Sequence, residues 1–351
     1  MIARLLASPR GILSRFRRFR SRPLGSKALI LLYHRVAELP SDPQWLCVTP
    51  QQFAEHLDSI RRHFYPLRLS ELQARFEEHK LPRKAVVITF DDGYSDNLYQ
   101  AKPLLEKYEV PATVFIATGN IGKSREFWWD ELDYLLFSDG ALPESLEITI
   151  NGKTHRWTLK DEVDSLGRVD GVRWTVAMDF SPTRRHQLYR ELAAIIRDLD
   201  ESTRESVMEH LAGWVNKPRA ARVTHRTMSP CEIQELAAGG LVDVGGHTVT
   251  HSVLSLQSAA EQLKEIAESR ATLEDILSRR IDTFSYPFGG RGDYNETTKA
   301  VLREVGLSLA CANFEGPLLS SSFPYDLPRF IVRDWGGEEF LERLTAWFKG
   351  Q

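Results

Sequence analysis

Short apolar runs alternate along most of the chain with segments in which apolar residues recur at helical spacing. Short runs that are rich in β-branched and aromatic residues are typical of buried strands. The predicted strands are ALILLYH, AVVITF, ATVFIAT, LVDVGG, TFSYPF and GLSLACA. Since strands that alternate with helices form parallel sheets, we predict an α/β fold whose sheet is either open or closed into a barrel. Catalytic side chains in such folds collect at the carboxyl ends of the strands.

Three of the intervening helices have clear start signals. In each, a Ser or Thr stands three residues before a Glu or Gln, which is the spacing of a capping box. The pairs are Thr49 with Gln52, Ser229 with Glu232, and Ser258 with Glu261. A proline follows the first two capping residues directly, at the helical position that favours it.

The segment 128–227 breaks the alternation of strands and helices. LEITINGKTHRWTL predicts a β-hairpin, because Asn151-Gly152 can adopt the positive φ angles of a two-residue turn. Two helices are expected after it, in SPTRRHQLYRELAAIIRDLD and ESTRESVMEHLAGWVNK. We therefore predict an inserted α+β subdomain at 128–227 within a larger domain made of 28–127 and 228–351.

The first 27 residues have a different character, with seven Arg, one Lys and no acidic residue. Apolar residues recur there at helical spacing, while Ser8-Pro9-Arg10 interrupts the apolar stretch that a signal peptide needs. We expect a basic amphipathic arm on an anionic membrane surface, in a cytoplasmic protein that is peripheral on the inner membrane face. A disordered basic tail and a targeting peptide are the alternatives.

Composition excludes several other classes of protein. The formal net charge of -3 argues against a nucleic-acid partner held by overall charge. Cys47, Cys231 and Cys311 are far apart and lack CxxC spacing, which disfavours a disulfide framework and a thiolate zinc site. No apolar run approaches the length of about 20 residues that a membrane-spanning helix needs.

Candidate chemistry lies in three motifs that each follow a predicted strand. Asp91 and Asp92 stand in TFDDGYSDN, His247 and His251 stand in GGHTVTHS, and a Pro/Gly turn closes TFSYPFGG. Two His and a carboxylate are a common open coordination set for zinc and similar ions. Taken singly, the motifs also fit a surface turn, an exposed helix face and a structural turn. The first two motifs together favour a metal site, because each follows a predicted strand and both would reach the same rim of the sheet.

These motifs, in this order, resemble the first three signature motifs of the polysaccharide deacetylases, carbohydrate esterase family 4 with the NodB-homology domain. The resemblance covers roughly 27–118 and 227–348. It implies a distorted (β/α) barrel of about seven strands. It also implies a hydrolase that removes an N-acetyl group from an amino sugar in a polysaccharide, a lipid-linked glycan or a glycolipid precursor.

The resemblance also implies roles for individual residues. Asp91 would be the general base, and the metal, usually zinc, would be held by Asp92, His247 and His251. The turn Tyr286-Pro287-Phe288 would bind substrate, with a backbone N–H near Phe288 directed at the oxyanion.

The chain departs from the family pattern at the general acid and at the residue that orients the base. The family commonly takes its acid from a late LxH motif, but no histidine follows His251, whereas Leu32-Tyr33-His34 supplies an LxH on the first strand. We expect His34 to be the acid in a permuted arrangement, with a strand-end histidine that caps a carbonyl as the alternative. The family arginine before the third-motif proline is also missing, and Arg329 could replace it or form a surface ion pair.

Further residues are expected to contact the substrate. Asp334 and Trp335 resemble the family's fourth motif. Four tryptophans of the predicted insert could stack on sugar faces or lipid, or simply pack in a core; they are Trp128, Trp129, Trp157 and Trp174. A metal-dependent glycosyltransferase and a non-catalytic carbohydrate-binding relative are the alternative functions.

Overall fold

The structure is a computed structural model that describes residues 27–159, 173–316 and 318–350. Most of the predicted N-terminal arm and part of the predicted insert therefore lie outside the described residues. The strands are β1 (Ala28–Tyr33), β2 (Arg35–Val36), β3 (Cys47–Val48), β4 (Tyr65–Pro66), β5 (Ala85–Phe90), β6 (Ala112–Ile116), β7 (Ser145–Ile150), β8 (Lys153–Thr158), β9 (Val242–Gly246), β10 (Thr283–Ser285), β11 (Leu309–Cys311) and β12 (Phe330–Ile331). The helices are α1 (Pro50–His63), α2 (Leu69–Glu77), α3 (Lys102–Tyr108), α4 (Trp128–Phe137), α5 (Arg184–Arg197), α6 (Glu201–Val215), α7 (Pro230–Ala237), α8 (Ala259–Leu277), α9 (Glu296–Val305) and α10 (Gly337–Lys349).

Seven parallel strands form the main sheet, in the order β11, β10, β9, β6, β5, β1 and β12, and β4 pairs with β5. All six predicted strands belong to it. Beyond the two outer strands, backbone bonds from Ala312 to Leu327 (2.8 Å) and from Arg329 to Phe314 (3.2 Å) join the segments that flank them. The sheet is therefore a distorted barrel, which confirms the predicted α/β architecture.

The helix start signals are confirmed in two cases and half confirmed in the third. Complete capping boxes begin α7 and α8, at Ser229 and Ser258. At α1 the Thr49 side chain accepts a hydrogen bond from the backbone N–H of Gln52, but the Gln52 amide lies beside Glu55 and the Trp335 carbonyl. The reciprocal bond of a capping box is replaced there by contacts with Glu55 of the same helix and with the distant Trp335.

The segment 128–227 contains the predicted elements. Strands β7 and β8 pair antiparallel around Asn151 and Gly152, whose φ angles are 49° and 78°. Helices α4, α5 and α6 pack with this hairpin in a hydrophobic cluster distinct from the one beneath the main sheet. The proposed domain boundaries remain a prediction, whereas the elements themselves are confirmed.

The described residues also bear on the expectations about membrane-spanning helices and about the cysteines. None of the helices in 27–159, 173–316 and 318–350 is long and apolar enough to cross a membrane. Cys47, Cys231 and Cys311 are free thiols, as their spacing predicts.

Candidate functional site

The carboxyl ends of the barrel strands open into one cavity of about 390 Å³. Asp91 and Asp92 follow β5, and His34 follows β1, its neighbour in the sheet. His247 follows β9, and His251 lies four residues further along the chain. All five residues line the cavity, so the structure brings together the predicted base, metal ligands and acid.

Asp92, His247 and His251 form a compact buried cluster. The Asp92 Oδ1 atom lies 3.5 Å from His247 Nε2 and 3.3 Å from His251 Nε2. One ligand atom from each residue lies within 4.8 Å of the other two. Burial raises the pKa of Asp92, but the hydrogen bonds from both histidines outweigh it and hold that pKa well below its ordinary value. The carboxylate is therefore ionised and faces both rings.

The cluster fits a divalent metal ion. Three buried nitrogen and oxygen donors converge on one point, which is the donor set that zinc prefers. The Nδ1 atom of His247 is used by the Ser285 carbonyl at 2.7 Å, which leaves Nε2 directed at Asp92. The buried Nδ1 atom of His251 has no hydrogen-bond partner among the described residues. Hydrogen bonds within the protein therefore do not account for the burial of the His251 ring.

Several residues of the site have backbones in the left-handed region. The φ angles are 79° at Asp92, 53° at His251 and 60° at Phe288. Such conformations are unfavourable for residues other than glycine and cluster at functional sites, where the surrounding structure holds them. The Glu265 carboxylate stabilises the loop before His251 by accepting hydrogen bonds from the backbone N–H groups of Val249 (2.8 Å) and Thr250 (2.9 Å).

Asp91 has a different environment from its neighbour. Arg329 donates to both of its carboxylate oxygens, at 2.8 and 2.7 Å, and Ser285 Oγ donates to Oδ2 at 3.1 Å. Burial raises the pKa of Asp91, but the charges of Arg329, His247 and His34 and the hydrogen bonds from Arg329 together outweigh burial, so the pKa lies below its ordinary value. Arg329 is itself fixed by the Ala312 carbonyl and the Thr89 hydroxyl.

Sequence reasoning missed Ser285 and Glu265. Ser285 links the two halves of the site, because its hydroxyl contacts Asp91 and Arg329 while its carbonyl accepts from His247. Its position on β10 carries a signal, since strand alternation directs it away from the side taken by Phe284 and Tyr286. Glu265 lies on α8 and has no local signal.

His34 is half-buried at the cavity wall. Its carbonyl accepts a hydrogen bond from Asn97 at 2.9 Å, while its ring makes no hydrogen bond with any described residue. Burial lowers the pKa of His34, and the Asp92 and Asp91 carboxylates oppose that shift. The ring is thus available to a group inside the cavity.

The predicted substrate-binding residues are only partly brought to the cavity. Phe288 lines it, with its ring centroid 4.8 Å from that of His251, and no described residue accepts a hydrogen bond from its backbone N–H. Pro287 precedes it outside the lining. Tyr286 is stacked on Tyr294 at 3.8 Å in the outer layer, because it alternates with the inward Ser285.

The remaining candidates divide in the same way. Asp334 accepts hydrogen bonds from the backbone and hydroxyl of Thr49, and thus supports the start of α1 instead of lining the cavity. Trp335 packs near Trp347. Of the four candidate tryptophans in the predicted insert, two line the cavity and two do not. Those in the lining are Trp128 and Trp129, and those bonded elsewhere are Trp157, to Glu191, and Trp174, to the Phe180 carbonyl.

Comparisons with known proteins agree with this arrangement. The family model described as polysaccharide deacetylase matches residues 78–141 and 203–310, which contain Asp91, Asp92, His247 and His251. The chain belongs to the polysaccharide deacetylase family. The matched residues do not include His34 or Arg329, although the folded chain brings both to the site.

Individual relatives match over part of their length. YxkH of Bacillus subtilis, whose name places it provisionally among polysaccharide deacetylases, is 36% identical over 42% of this chain and 53% of its own. The poly-beta-1,6-N-acetyl-D-glucosamine N-deacetylase of Staphylococcus epidermidis is 32% identical over 28% of this chain and 39% of its own. The chain thus spans about half or less of the length of these curated relatives.

Solved structures share the fold over nearly the whole chain. The Streptococcus pyogenes deacetylase PplD, solved with acetate, has a TM-score of 0.56 at 18% identity and covers 91% of this chain and 99% of its own. IcaB from Ammonifex degensii also has a TM-score of 0.56, at 20% identity, over 93% and 98%. At these identities the likeness concerns the fold.

Proposed function

We propose that this member of the polysaccharide deacetylase family is a metal-dependent hydrolase that removes an N-acetyl group from an amino sugar of a glycan. The observation that carries the proposal is that two adjacent carboxylates, those of Asp91 and Asp92, have different contacts. Asp92 faces two histidines, whereas Asp91 is held by Arg329 and Ser285 and remains outside the cluster. One is suited to hold a cation and the other to accept a proton.

In this proposal Asp92, His247 and His251 hold one divalent ion, for which Zn²⁺ is the best match to the donor set. The ion would supply Lewis-acid polarisation of the amide carbonyl and a lowered pKa for water. The residues around it have separate tasks, which follow from their positions in the cavity.

Asp91 takes a proton from the attacking water as the water oxygen bonds to the amide carbon. Arg329 keeps the Asp91 carboxylate in one orientation, since two parallel hydrogen bonds leave it no free rotation. The free backbone N–H of Phe288 is a candidate donor to the oxyanion. His34 then donates a proton to the departing nitrogen as the C–N bond breaks, which gives acetate and a free amine.

The substrate class follows from the relatives and from the lining of the cavity. The Staphylococcus epidermidis relative is named for poly-beta-1,6-N-acetyl-D-glucosamine, which supports an N-acetylhexosamine. Trp128, Trp129 and Phe288 supply apolar surfaces on which a sugar ring can pack. A lipid-linked substrate and a place on the inner membrane face remain predictions, since they depend on the N-terminal arm.

Acetate release tests the proposal. Purified, zinc-loaded protein is incubated with N-acetylglucosamine oligosaccharides, and acetate is measured for the parent and for Asp91→Asn. We expect release by the parent alone. Loss of the nucleotide from a nucleotide sugar without acetate release would favour a glycosyltransferase, and equal sugar binding without activity in either protein would favour a non-catalytic relative.

A further inference from the structure

The charged residues that line the cavity are not all accounted for by the proposed reaction. They comprise two aspartates and three arginines: Asp91, Asp92, Arg190, Arg197 and Arg333. Asp91 is paired with Arg329, and Asp92 faces the two histidines. Arg197 pairs with Asp198 and Asp293. Two guanidinium groups, those of Arg190 and Arg333, have no carboxylate partner among the described residues.

These two arginines differ in how many hydrogen bonds they can still donate. Arg190 donates to the carbonyls of Val176, Met178 and Phe180 and to the Ser181 hydroxyl, so it binds a loop of the protein. Arg333 donates one hydrogen bond, from Nη1 to the Trp45 carbonyl. Its Nε and Nη2 atoms make none with any described residue. Arg333 is therefore the charged group with donors to spare.

The loop that contacts Arg333, residues 42–47, is held by hydrogen bonds within the protein. Trp45 has a φ of 58°, an unfavourable conformation for so large a residue. The Asp42 carboxylate maintains it by accepting hydrogen bonds from the backbone N–H groups of Leu46 and Cys47, both at 2.9 Å. The guanidinium of Arg333 stacks on the Trp45 ring, 4.6 Å from its centroid. Asp42 is the carboxylate whose charge acts on Arg333, but both of its oxygens already accept these backbone hydrogen bonds.

We propose that Arg333, supported by Trp45, binds an anionic substituent of the sugar, a phosphoryl or carboxylate group, beside the deacetylation centre. The inference rests on the proposed function for the identity of the sugar. Arg333 follows β12, and His34 follows the neighbouring strand β1, so an anion on Arg333 would lie on the side of the site where His34 stands. Arg333 is then a specificity-determining residue.

Energetics favour an anion over a neutral hydroxyl at this position. Burial lowers the pKa of Arg333 to about 10, and the charge of Asp42 opposes that shift only in part. Guanidinium groups recognise phosphate and carboxylate through paired hydrogen bonds, and Arg333 retains the Nε and Nη2 pair that such recognition uses. The cavity volume of about 390 Å³ lies in the range of small-ligand sites.

A binding experiment that involves no turnover tests the inference. Dissociation constants of the zinc-loaded full chain are measured by calorimetry for glucose 1-phosphate, glucuronate, glucose and inorganic phosphate. We expect an anionic sugar to bind at least about tenfold more tightly than glucose, and raised salt to weaken that preference. Preference for glucose 1-phosphate over glucuronate, or the reverse, identifies the anion as phosphoryl or carboxylate.

Three variants separate recognition from a structural role. Arg333→Gln should abolish the preference while glucose binding stays within about twofold, and Arg333→Lys should restore part of it. Arg156→Gln, which removes an equal charge from the exposed hairpin, should leave it unchanged. Circular dichroism of each variant checks that it is folded. The salt dependence of binding to the parent tests the inference without any substitution.

The inference is overturned if the parent shows no preference, if the preference survives in Arg333→Gln, or if inorganic phosphate binds as tightly as glucose 1-phosphate. The second result would place the anion elsewhere, for instance at the Asp92 cluster. Failure of the proposed function gives a different pattern. In that case N-acetylglucosamine 1-phosphate yields no acetate while the dependence of anion binding on Arg333 persists.

Discussion

Arg329 and Asp91 are joined by two parallel hydrogen bonds, 2.8 Å from Nη1 to Oδ1 and 2.7 Å from Nη2 to Oδ2, and both side chains are buried. Arg329 immediately precedes β12, and Asp91 immediately follows β5, with β1 between these strands. The pair fixes one carboxylate beside the barrel rim while its neighbour, Asp92, faces two histidines. Unlike environments of this kind give adjacent acids different roles.

Arg329→Lys keeps the charge but cannot donate two parallel hydrogen bonds to Asp91. We expect acetate release to fall about 100-fold, because misplacement of a catalytic group by a small distance is costly. Bound zinc should be retained, since Arg329 makes no hydrogen bond to the three proposed ligands. Arg343→Lys, which alters an exposed pair with Glu339, is the control and should match the parent. Full activity in Arg329→Lys would show that the pair is structural only.

His34→Gln removes the proposed proton donor from the end of β1. Turnover should fall by about 10²–10⁴-fold, the usual contribution of a positioned acid, while zinc content stays at the parental level. His155→Gln on β8 changes a histidine far along the hairpin and should have no effect. Unaltered acetate release by His34→Gln would refute the permuted acid and leave the metal site in place.

Gly245→Ala tests the close packing that positions His247. A Cβ atom at residue 245 would lie 2.5 Å from the Phe115 ring and 2.6 Å from Thr283 Oγ1, so neighbouring atoms must move. Denaturant unfolding should show a loss of about 1–3 kcal/mol. Gly213→Ala in α6 is the matched control, because its added Cβ would meet nothing within 4 Å beyond the adjoining backbone of its own helix. Helix propensity predicts a gain of up to about 1 kcal/mol. Equal stabilities of the two variants would contradict this account.

His56 predicts a loss of stability in acid. Burial lowers its pKa to about 4 in the folded chain, where it stacks on Phe340 and bonds to the Trp335 carbonyl. Because the unfolded chain protonates more readily, with a pKa near 6.5, the stability present above that value is lost as the pH falls toward 4.

The size of the effect can be measured against a variant. The two pKa values correspond to a loss of about 3 kcal/mol in unfolding free energy. His56→Gln cannot titrate, so its stability should depend less on pH over this window by a similar amount. Identical pH profiles for the parent and His56→Gln would exclude this histidine as the cause.

Local sequence signals are sufficient to predict the strands and helices and the convergence of Asp92, His247 and His251. The six apolar runs formed the parallel sheet, and Asp92, His247 and His251 met because parallel strands end at one rim. The sequence also placed His34 correctly at this rim, since β1 lies between β5 and β12. These outcomes depend on strand periodicity and direction, which neighbouring residues encode.

The remaining features depend on contacts between distant parts of the chain. Arg333 donates a hydrogen bond to the Trp45 carbonyl, which lies 288 residues away in the sequence. No local pattern predicts that contact. Tyr286 was expected at the site, but strand alternation directs it to Tyr294 while Ser285 faces Asp91. Asp334 and Trp335 likewise pack around α1 and α10, where only the folded chain could place them.

Metal stoichiometry tests the central claim most directly. Zinc per chain is determined by mass spectrometry after reloading and dialysis for the parent, His247→Ala, Asp91→Asn and the exposed control His210→Ala. We predict one tightly bound ion in the parent, Asp91→Asn and His210→Ala, and none in His247→Ala. Zinc retained by His247→Ala at the parental level, or lost from Asp91→Asn, would contradict the proposal that Asp92 and the two histidines hold the ion while Asp91 accepts the proton.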